Sequence, residues 1–292
     1  MAGNRTYAIG DGWRGILAEV GVDYRDVLRR AGLPDDLLNR RDIRLSTDAF
    51  IRFFAALDTV VSDGAFWVRL TEAMSPEYFT PPMFAALCSP DLATATERLA
   101  RFKPLMGPVH LQVRDDSEGL TLTYRWLPSA LRLPAFMHGM EALFVTRLAR
   151  LGTRLPIHPS AVTVPELPRD RQPFEDYLRV RLRRGEHIRV TFTPADAHRP
   201  FRTANRALWA VFEPELRRHL ADLGGEATFA ERTRAVLLEA LPSGQGGIGD
   251  VARRLAVSAS ALSPRRPTSS PARPRAPDAR PLGCSWARAP GW

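Results

Sequence analysis

The stretch 108-PVHLQVRDDSEGLTLTYRWL-127 decides the fold class, because its two halves have the pattern of β-strands in a chain otherwise rich in helical patterns. Apolar and polar residues alternate over 109–113 and again over 120–126. This period of two residues is typical of a strand with one buried face. The residues between the two halves, Asp-Asp-Ser-Glu-Gly, are those that turns prefer, so the sequence predicts an antiparallel hairpin.

Helical patterns occupy most of the first hundred residues. Apolar residues recur at the i, i+3, i+4 and i+7 spacing from Trp13 to Val20, and Gly32 is placed to end the helix that follows. Ser46 or Thr47 can cap the next helix, because a hydroxyl oxygen accepts hydrogen bonds from the free backbone N–H groups at a helix start. The face that this helix is predicted to bury consists of Phe50, Phe53, Phe54 and Leu57.

After the hairpin, helical and strand patterns alternate. We predict a long helix over 134–151, strands over 158–165 and 186–194, and a short helix between these strands. A last helix over 204–225 has an apolar stripe, and Pro214 is predicted to kink or break it. That stripe consists of Leu208, Phe212, Leu216 and Leu220. The fold class is therefore predicted to be α+β, with a helical N-terminal part and a small, mainly antiparallel sheet.

Composition and charge narrow the class of protein. The chain has 292 residues, 45% of them hydrophobic, which is enough apolar material for a packed core. Its net charge is +9, and +5 of this lies in residues 264–292. Two cysteines, Cys88 and Cys284, are too few and too far apart for a disulfide framework or a metal site. No apolar stretch approaches the roughly 18 residues of a membrane span. We expect a cytoplasmic protein without membrane contact and without a cofactor.

The stretch 248-IGDVARRLAVSASALS-263 has the spacing of a helix-turn-helix. Ile248, Val251 and Leu255 share one face of a first helix, and Ser258 can cap a second one. The second helix of such a motif lies in the major groove of DNA, with its N-terminal side chains near the base edges. The alternative is an αα-corner, in which two packed helices of a helical protein are joined by a short turn and do not bind DNA.

Four residues are predicted to face DNA. Arg253 and Arg254 are placed to contact phosphates, and Ser258 and Ser260 stand where contacts with base edges or phosphates begin. The residues from Gly244 to Gly249 match G-x-G-x-x-G by spacing, but a helical pattern and not a strand precedes them. We therefore interpret them as a loop between helices and not as a dinucleotide site.

The chain resembles the AraC/XylS family of transcriptional regulators. The residues that carry the resemblance are 235-AVLLEALPSGQGGIGDVARRLAVSASALS-263, 33-LPDDLLNRRDIRLSTDAFIRFFAAL-57 and 207-ALWAVFEPELRRHLADL-223. The last two are similar to the arabinose-binding/dimerisation region of one branch of the family, and the resemblance covers about residues 10–263. It implies an N-terminal domain that binds a small-molecule effector or dimerises. It also implies a C-terminal domain with two helix-turn-helix units, used as a homodimer on paired DNA half-sites.

This sequence departs from the family pattern at Pro264. Pro264 and Pro267 interrupt the second helix, where a proline removes a backbone donor and costs about 3 kcal/mol. Seven of the 29 residues over 264–292 are proline, and few are large and apolar. The burial of so few apolar side chains cannot offset the entropy lost when the segment becomes ordered. We expect an effector-binding/dimerisation domain over 10–223, a partial helix-turn-helix domain over 228–263 with its second unit missing, and a disordered tail.

A shifted reading frame near codon 263 is our hypothesis for this change, because GC-rich DNA read out of frame yields mostly Pro, Arg, Ala, Gly and Ser. The alternative is a natural Arg/Pro tail with non-specific affinity for phosphate. Because half of a DNA-binding domain makes few phosphate contacts, we expect DNA binding to be impaired. The rival function is a stand-alone ligand-binding or dimerising protein without DNA-binding activity.

An effector pocket is expected where aromatic residues, methionines and prolines approach the hairpin. The candidate lining residues are Phe79, Phe102, Met106, Trp126 and His138, and the alternative is that they are ordinary core residues. The six histidines lack the spacing of metal ligands, and no G-x-S-x-G or Cys/His pairing indicates a catalytic nucleophile. The sequence therefore favours a regulator over an enzyme.

Overall fold

The computed structural model of the chain divides into two compact units, Met1–Arg232 and Thr233–Trp292. The residues that the structure describes are 6–9, 12–40, 43–61, 63–127, 133–223, 247–255 and 257. Ser258 and Ser260, the rest of the predicted second DNA-binding helix and the predicted disordered tail lie outside the described residues.

The first unit mixes helices and strands, which confirms the predicted α+β class. Its described helices are α1 (Gly12–Glu19), α2 (Tyr24–Ala31), α3 (Thr47–Val60), α4 (Ala65–Ala73), α5 (Pro81–Leu87), α6 (Leu92–Phe102), α7 (Ala135–Thr153), α8 (Gln172–Leu178), α9 (Pro194–Ala197) and α10 (Arg206–Leu223). Short 3₁₀ turns are present at Leu37–Asn39, Pro76–Tyr78 and Lys103–Leu105. In the second unit, the described residues form α11 (Ile248–Arg254).

Local side-chain chemistry sets the ends of several helices. At the start of α3, Ser46 Oγ accepts a hydrogen bond of 3.2 Å from the backbone N–H of Ala49, which confirms Ser46 as the cap. At the start of α6, Asp91 accepts one of 2.8 Å from the backbone N–H of Thr94. Helix α2 ends at Gly32, whose φ of 62° lies in the left-handed region that favours glycine.

The strands form two sheets. A two-stranded antiparallel sheet pairs β1 (Thr6–Ala8) with β2 (Arg44–Ser46). The strands of the second sheet are β3 (Val109–Asp116), β4 (Gly119–Trp126), β5 (Ala161–Val164), β6 (Leu182–Arg184) and β7 (Ile188–Phe192). Their order is β3-β4-β7-β5-β6, with β5 and β6 parallel and the other neighbours antiparallel. Val109 pairs with Trp126, which confirms the predicted hairpin and its register.

One hydrophobic core joins the larger sheet to the helices. Strands β3 and β4 bury Leu111, Leu120 and Leu122, as their alternation predicts. Helix α6 packs against β3, and α7 packs against β5 and β7. The apolar face predicted for α3 is buried, with Phe53 and Leu57 fully inaccessible. The burial of large side chains from sheet and helices together is the main source of stability of this unit.

Helix α10 packs against α5 and the Lys103–Leu105 turn through a second, smaller apolar cluster. Leu216 is fully buried there, and Trp209, Phe212 and Leu220 are packed around it. The predicted stripe is wrong at its first position, because Leu208 is 43% exposed and Trp209 takes its place.

Pro214 lies inside α10, and the helix continues on both sides of it, so of the two predicted effects, a kink or a break, the break is wrong and the kink stays a prediction. A proline removes the hydrogen bond to the carbonyl four residues earlier, which belongs to Ala210. Ala210 and Pro214 are both exposed, so solvent can hydrogen-bond the released carbonyl and no buried polar group is left unsatisfied.

The sequence does not predict three of the strands, β1, β2 and β6. Each has three residues, too few to show the period of two that identifies longer strands. Among the described helices, none combines the length and the apolar composition that crossing a membrane requires.

Candidate functional site

A cavity of about 160 Å³ lies in the first unit, where α1, α3, α4 and α7 meet β1 and the ends of the β3–β4 hairpin. Its wall is mainly apolar, with aromatic rings from Trp13, Phe50, Phe54, Trp126 and Phe144. Several of these rings touch one another: the ring centroids of Phe50 and Phe54 are 4.9 Å apart, and those of Trp13 and Phe54 are 5.4 Å apart at a near-perpendicular angle. Such contacts hold the aromatic wall in a fixed shape.

A buried ion pair forms the polar part of the wall. Lys103 begins the turn that follows α6, Glu141 lies in the middle of α7, and Lys103 Nζ donates to Glu141 Oε2 at 2.7 Å. The two side chains are 6% and 10% exposed. Removing two charges from water is costly, and the close contact between them offsets that cost only while both partners are present.

Aromatic rings surround the ammonium group of this pair. Lys103 Nζ lies 5.5 Å from the ring centroid of Tyr124 and 5.7 Å from that of Phe144, within the range of cation–π attraction. Burial raises the pKa of the Tyr124 phenol well above its ordinary value, and the negative charge of Glu141 raises it further. Tyr124 therefore stays neutral, and the charges beside the cavity are those of the Lys103–Glu141 pair.

Two polar atoms of the cavity-lining residues lack partners. The indole Nε1 of Trp126 and the hydroxyl oxygen of Thr80 are buried, and neither has a hydrogen-bond partner among the described residues. An unsatisfied buried polar group costs about 1–3 kcal/mol. A ligand that accepts a hydrogen bond from Trp126 would recover this cost, so the wall is suited to a molecule with a polar end.

Glycines allow close approaches at one place in the wall, Gly107, and at one place next to it, Gly15. A Cβ atom at Gly107 would lie 3.2 Å from Cζ of Phe50, so a side chain there would press on the ring. A Cβ atom at Gly15 would lie 2.6 Å from Cε1 of Tyr78, whose ring rests on α1. The Tyr78 hydroxyl donates to Glu19 at 2.6 Å, which fixes this ring against the helix.

The structure brings together two of the five predicted pocket residues. Met106 and Trp126 line the cavity. Phe79 lies in the main core, and Phe102 is buried in the second cluster beside α10. His138 lies on α7 outside the cavity lining, its Nδ1 is buried without a partner among the described residues, and burial lowers its pKa while the charge of Glu166 opposes the shift.

The sequence-based candidates for the pocket miss the residues that have the most distinctive chemistry in the cavity. These residues are Lys103, Glu141 and Thr80. Lys103 is the single lysine of the chain and stands in an apolar context, Arg-Phe-Lys-Pro-Leu-Met, which is a signal that could have identified it. Glu141 gives no such signal, because one carboxylate in a long helix is normally solvent-exposed.

A wider cleft of about 780 Å³ lies beside α4 and α8. Its charged side chains have both signs, and two of its three arginines already contact other groups of the fold. Arg150 donates to the carbonyls of Ile157 and Tyr177 at 2.8 and 2.7 Å, and Arg69 lies 2.8 Å from the Asp63 carboxylate. The smaller cavity is therefore the better candidate for a ligand site. Among the described residues, no group of His, Cys, Asp and Glu is arranged to hold a metal ion.

The predicted DNA-facing residues are only partly described. Arg253 on α11 has a side chain that is 80% exposed and lies 3.4 Å from the carboxylate of Asp250. For Arg254 the structure describes the backbone alone, as the last residue of α11. The face predicted to be buried contains Val251, at 2% exposure, but Ile248, the first residue of the helix, is 57% exposed.

Comparison with known proteins identifies the family of the region that supplies most of the cavity wall. Residues 21–201 match the family described as the arabinose-binding domain of AraC transcription regulators, N-terminal. A solved structure that is similar to the chain is that of the transcriptional regulator CdpR from Pseudomonas aeruginosa, with 18% identity, a TM-score of 0.49, and coverage of 87% of this chain and 78% of that one. No curated protein matches the sequence. The family match spans more than half of the chain, and the chain therefore belongs to the AraC transcription regulators that carry this N-terminal domain.

Proposed function

We propose that the chain is a cytoplasmic transcriptional regulator whose first unit binds a small-molecule effector in the cavity beside the Lys103–Glu141 pair. The observation that carries this proposal is a mainly apolar cavity with a buried ion pair and two unpartnered polar groups, and most of its lining residues lie within residues 21–201, the region matched by the family. Ligand pockets combine apolar walls with a few well-placed polar groups in this way. Residues 10–223 form the effector-binding and dimerisation domain.

The DNA-binding function belongs to residues 228–263, in a homodimer that binds paired half-sites. Arg253 and Arg254 contact phosphates, and Ser258 and Ser260 contact base edges or phosphates at the start of the second helix. The exposure of Arg253 supports its role, because the guanidinium can leave Asp250 and meet a phosphate without breaking a buried contact.

The binding of operator DNA is weak in this chain. If Ser258 caps the second helix, five residues remain before Pro264, and Pro267 prevents the helix from resuming. A recognition helix of little more than one turn presents few side chains to the groove and is marginal by itself. The Arg-rich residues beyond it supply non-specific, salt-sensitive attraction to phosphate.

Selection of DNA from a random library, followed by gel-shift titration of the purified 292-residue chain, tests this DNA-binding proposal. We expect only weak binding that disappears as salt rises. The matched variant Pro264→Ala/Pro267→Ala restores the backbone donors, and we expect it to bind more tightly than the natural chain. Nanomolar, sequence-specific binding by the natural chain would contradict the impairment.

A thermal-shift screen with a metabolite panel that includes L-arabinose tests the effector proposal. A ligand that binds only the folded state raises the melting temperature. Met106→Trp places a larger side chain in the cavity wall and should abolish the shift, whereas Leu127→Trp, at a position that is 46% exposed and outside the lining, should preserve it. A shift that persists in Met106→Trp would place the ligand elsewhere.

The rival function is that of a ligand-binding or dimerising protein without DNA-binding activity. The prolines at 264 and 267 favour it, because they interrupt the DNA-binding motif and leave the first unit intact. A compound that raises the melting temperature of the chain, together with no specific DNA binding in its presence, would support the rival function.

A further inference from the structure

We propose that the effector is a neutral, mainly apolar molecule about the size of a single aromatic ring, with one hydroxyl or carbonyl group that accepts a hydrogen bond from Trp126 Nε1. This inference rests on the proposed function, because it describes the ligand of the same cavity. Four features of the cavity support the inference: its size, its mainly apolar wall, its charge and its unpartnered polar groups.

The size of the cavity limits the ligand to a small ring or a short branched chain. Its volume of about 160 Å³ is close to that of an engineered apolar protein cavity of about 150 Å³ that binds benzene. Pockets for larger ligands generally have volumes from about 300 Å³ upwards. Because the aromatic residues of the wall pack against one another, the cavity cannot enlarge without disturbing them.

The wall of the cavity disfavours a sugar. A pentose has an oxygen on every carbon, and each hydroxyl that enters a protein without a partner costs about 1–3 kcal/mol. Besides the indole N–H groups of Trp13 and Trp126, the lining has the polar side chains of Thr71, Tyr78, Thr80, Lys103 and Glu141. Two of the hydroxyls already donate: Thr71 to a carbonyl of its own helix, and Tyr78 to Glu19. The groups that remain, Thr80, Trp126 and the ion pair, are few against an otherwise apolar wall, which favours a ligand with one polar end over a polyol.

The charge of the cavity favours a neutral ligand. Lys103 and Glu141 are the charged residues of the described lining, and they neutralise each other at 2.7 Å. A carboxylate ligand would add a second negative charge beside Glu141, and an ammonium ligand would add a second positive charge beside Lys103. Either ligand leaves one buried charge without a counter-ion. This is strongly unfavourable here, because the side chains of Lys103 and Glu141 are about nine-tenths buried.

The unpartnered groups define the polar end of the ligand. The indole N–H of Trp126 is a donor only, so the ligand must present an acceptor to it. Thr80 can donate or accept, and the ammonium of Lys103 has three N–H groups of which Glu141 takes one. A hydroxyl group matches this set, because it accepts from Trp126 and can donate its own proton to the Thr80 or Glu141 oxygen.

Four probes with the same carbon skeleton test the inference on the full chain: benzyl alcohol, toluene, benzoate and benzylamine, with L-arabinose as the sugar. We expect benzyl alcohol to bind most tightly by isothermal titration calorimetry. Its advantage over toluene should be about threefold to tenfold, the range of one net hydrogen bond. Tighter binding of toluene, benzoate, benzylamine or arabinose overturns the inference, as does the failure of all five compounds to bind in the millimolar range.

Two variants test the role of Trp126. Trp126→Phe keeps an aromatic ring and removes the donor, so it should lower the affinity for benzyl alcohol about threefold to tenfold and leave that for toluene unchanged. Trp209→Phe, in the second cluster outside the cavity, is the matched control and should change neither affinity. An equal loss for both ligands in Trp126→Phe would overturn the assigned hydrogen bond, because it would indicate lost packing.

The failure of this inference and the failure of the proposed function give different results. If arabinose or an anion binds and the melting-temperature shift is lost in Met106→Trp, the cavity is an effector site and the ligand class is wrong. If benzyl alcohol binds as expected and Met106→Trp leaves its binding intact, the compound does not occupy this cavity, and the inference is overturned. The proposed function fails when every compound of the metabolite panel that raises the melting temperature keeps its effect in Met106→Trp.

Discussion

The replacement of Lys103 by methionine gives the sharpest test of how the buried ion pair stabilises the first unit. Methionine is similar in length to lysine, so Lys103→Met mainly removes the ammonium group that lies 2.7 Å from Glu141. The Glu141 side chain, which is 10% exposed, is then left without its partner. Removing one member of a buried pair costs about 3–5 kcal/mol, because the other charge remains desolvated. For a unit of about 230 residues, this corresponds to a fall in melting temperature of about 6–20 °C.

The double variant Lys103→Met/Glu141→Leu separates the cost of an unpaired charge from a loss of packing. Both charges are then gone, and the replacement of a buried ion pair by apolar residues of similar volume is often neutral or stabilising. We expect the double variant to recover most of the stability lost in Lys103→Met. Recovery of this kind is a direct measure of the coupling between the two positions.

An exposed ion pair provides the control. Arg29 and Asp26 lie 3.1 Å apart on α2, and their side chains are 67% and 51% exposed. Arg29→Met should cost no more than about 1 kcal/mol, as solvent-exposed pairs do. Urea denaturation followed by tryptophan fluorescence gives the free energy of unfolding for all the variants. A cost for Lys103→Met as small as that for Arg29→Met, or no recovery in the double variant, would refute the reasoning.

Three further predictions concern packing, capping and pH. Gly152→Ala places a Cβ about 2.5 Å from the Phe201 ring and should lower the free energy of unfolding by about 1–3 kcal/mol in urea denaturation; an unchanged value would mean that the ring moves freely. Ser46→Ala removes the acceptor for the N–H of Ala49 and should lower the free energy of unfolding by about 1 kcal/mol in the same measurement. Ser46→Asp keeps an acceptor at this position and should retain most of the stability that the cap supplies. Burial lowers the pKa of His138 below its ordinary 6.5, so the unfolded chain takes up the proton first and stability falls as the pH drops below 6.5. His138→Gln should show a smaller fall between pH 7.5 and pH 5.5, and an identical fall would exclude His138 as a cause.

The sequence predicts the parts of the fold that repeat a pattern over enough residues. The β3–β4 hairpin and α3 follow from periods of 2 and 3.6 residues that persist through the whole element. The three-residue strands have no such pattern, since their position depends on pairing with distant strands. Pro214 illustrates the same limit, because its effect depends on whether solvent reaches the carbonyl of Ala210.

The candidate site is less predictable than the fold, because it is assembled from residues far apart in the chain. Lys103 and Glu141 are separated by 38 positions, and no local pattern relates them. The sequence predicts His138 in the pocket because this residue stands beside methionines. The step of about 100° per residue along α7 instead turns it away from the face that Met140, Glu141 and Phe144 present to the cavity.

The burial of Lys103 has a practical consequence, because the chain has no other lysine. An amine-selective acylating reagent can reach this side chain only when the wall of the cavity opens. The rate of acylation at Lys103, divided by the rate for a free lysine, therefore reports the equilibrium for local opening of the domain. Mass spectrometry of a single peptide would follow that opening over time, and a ligand that occupies the cavity should slow the labelling in proportion to its concentration.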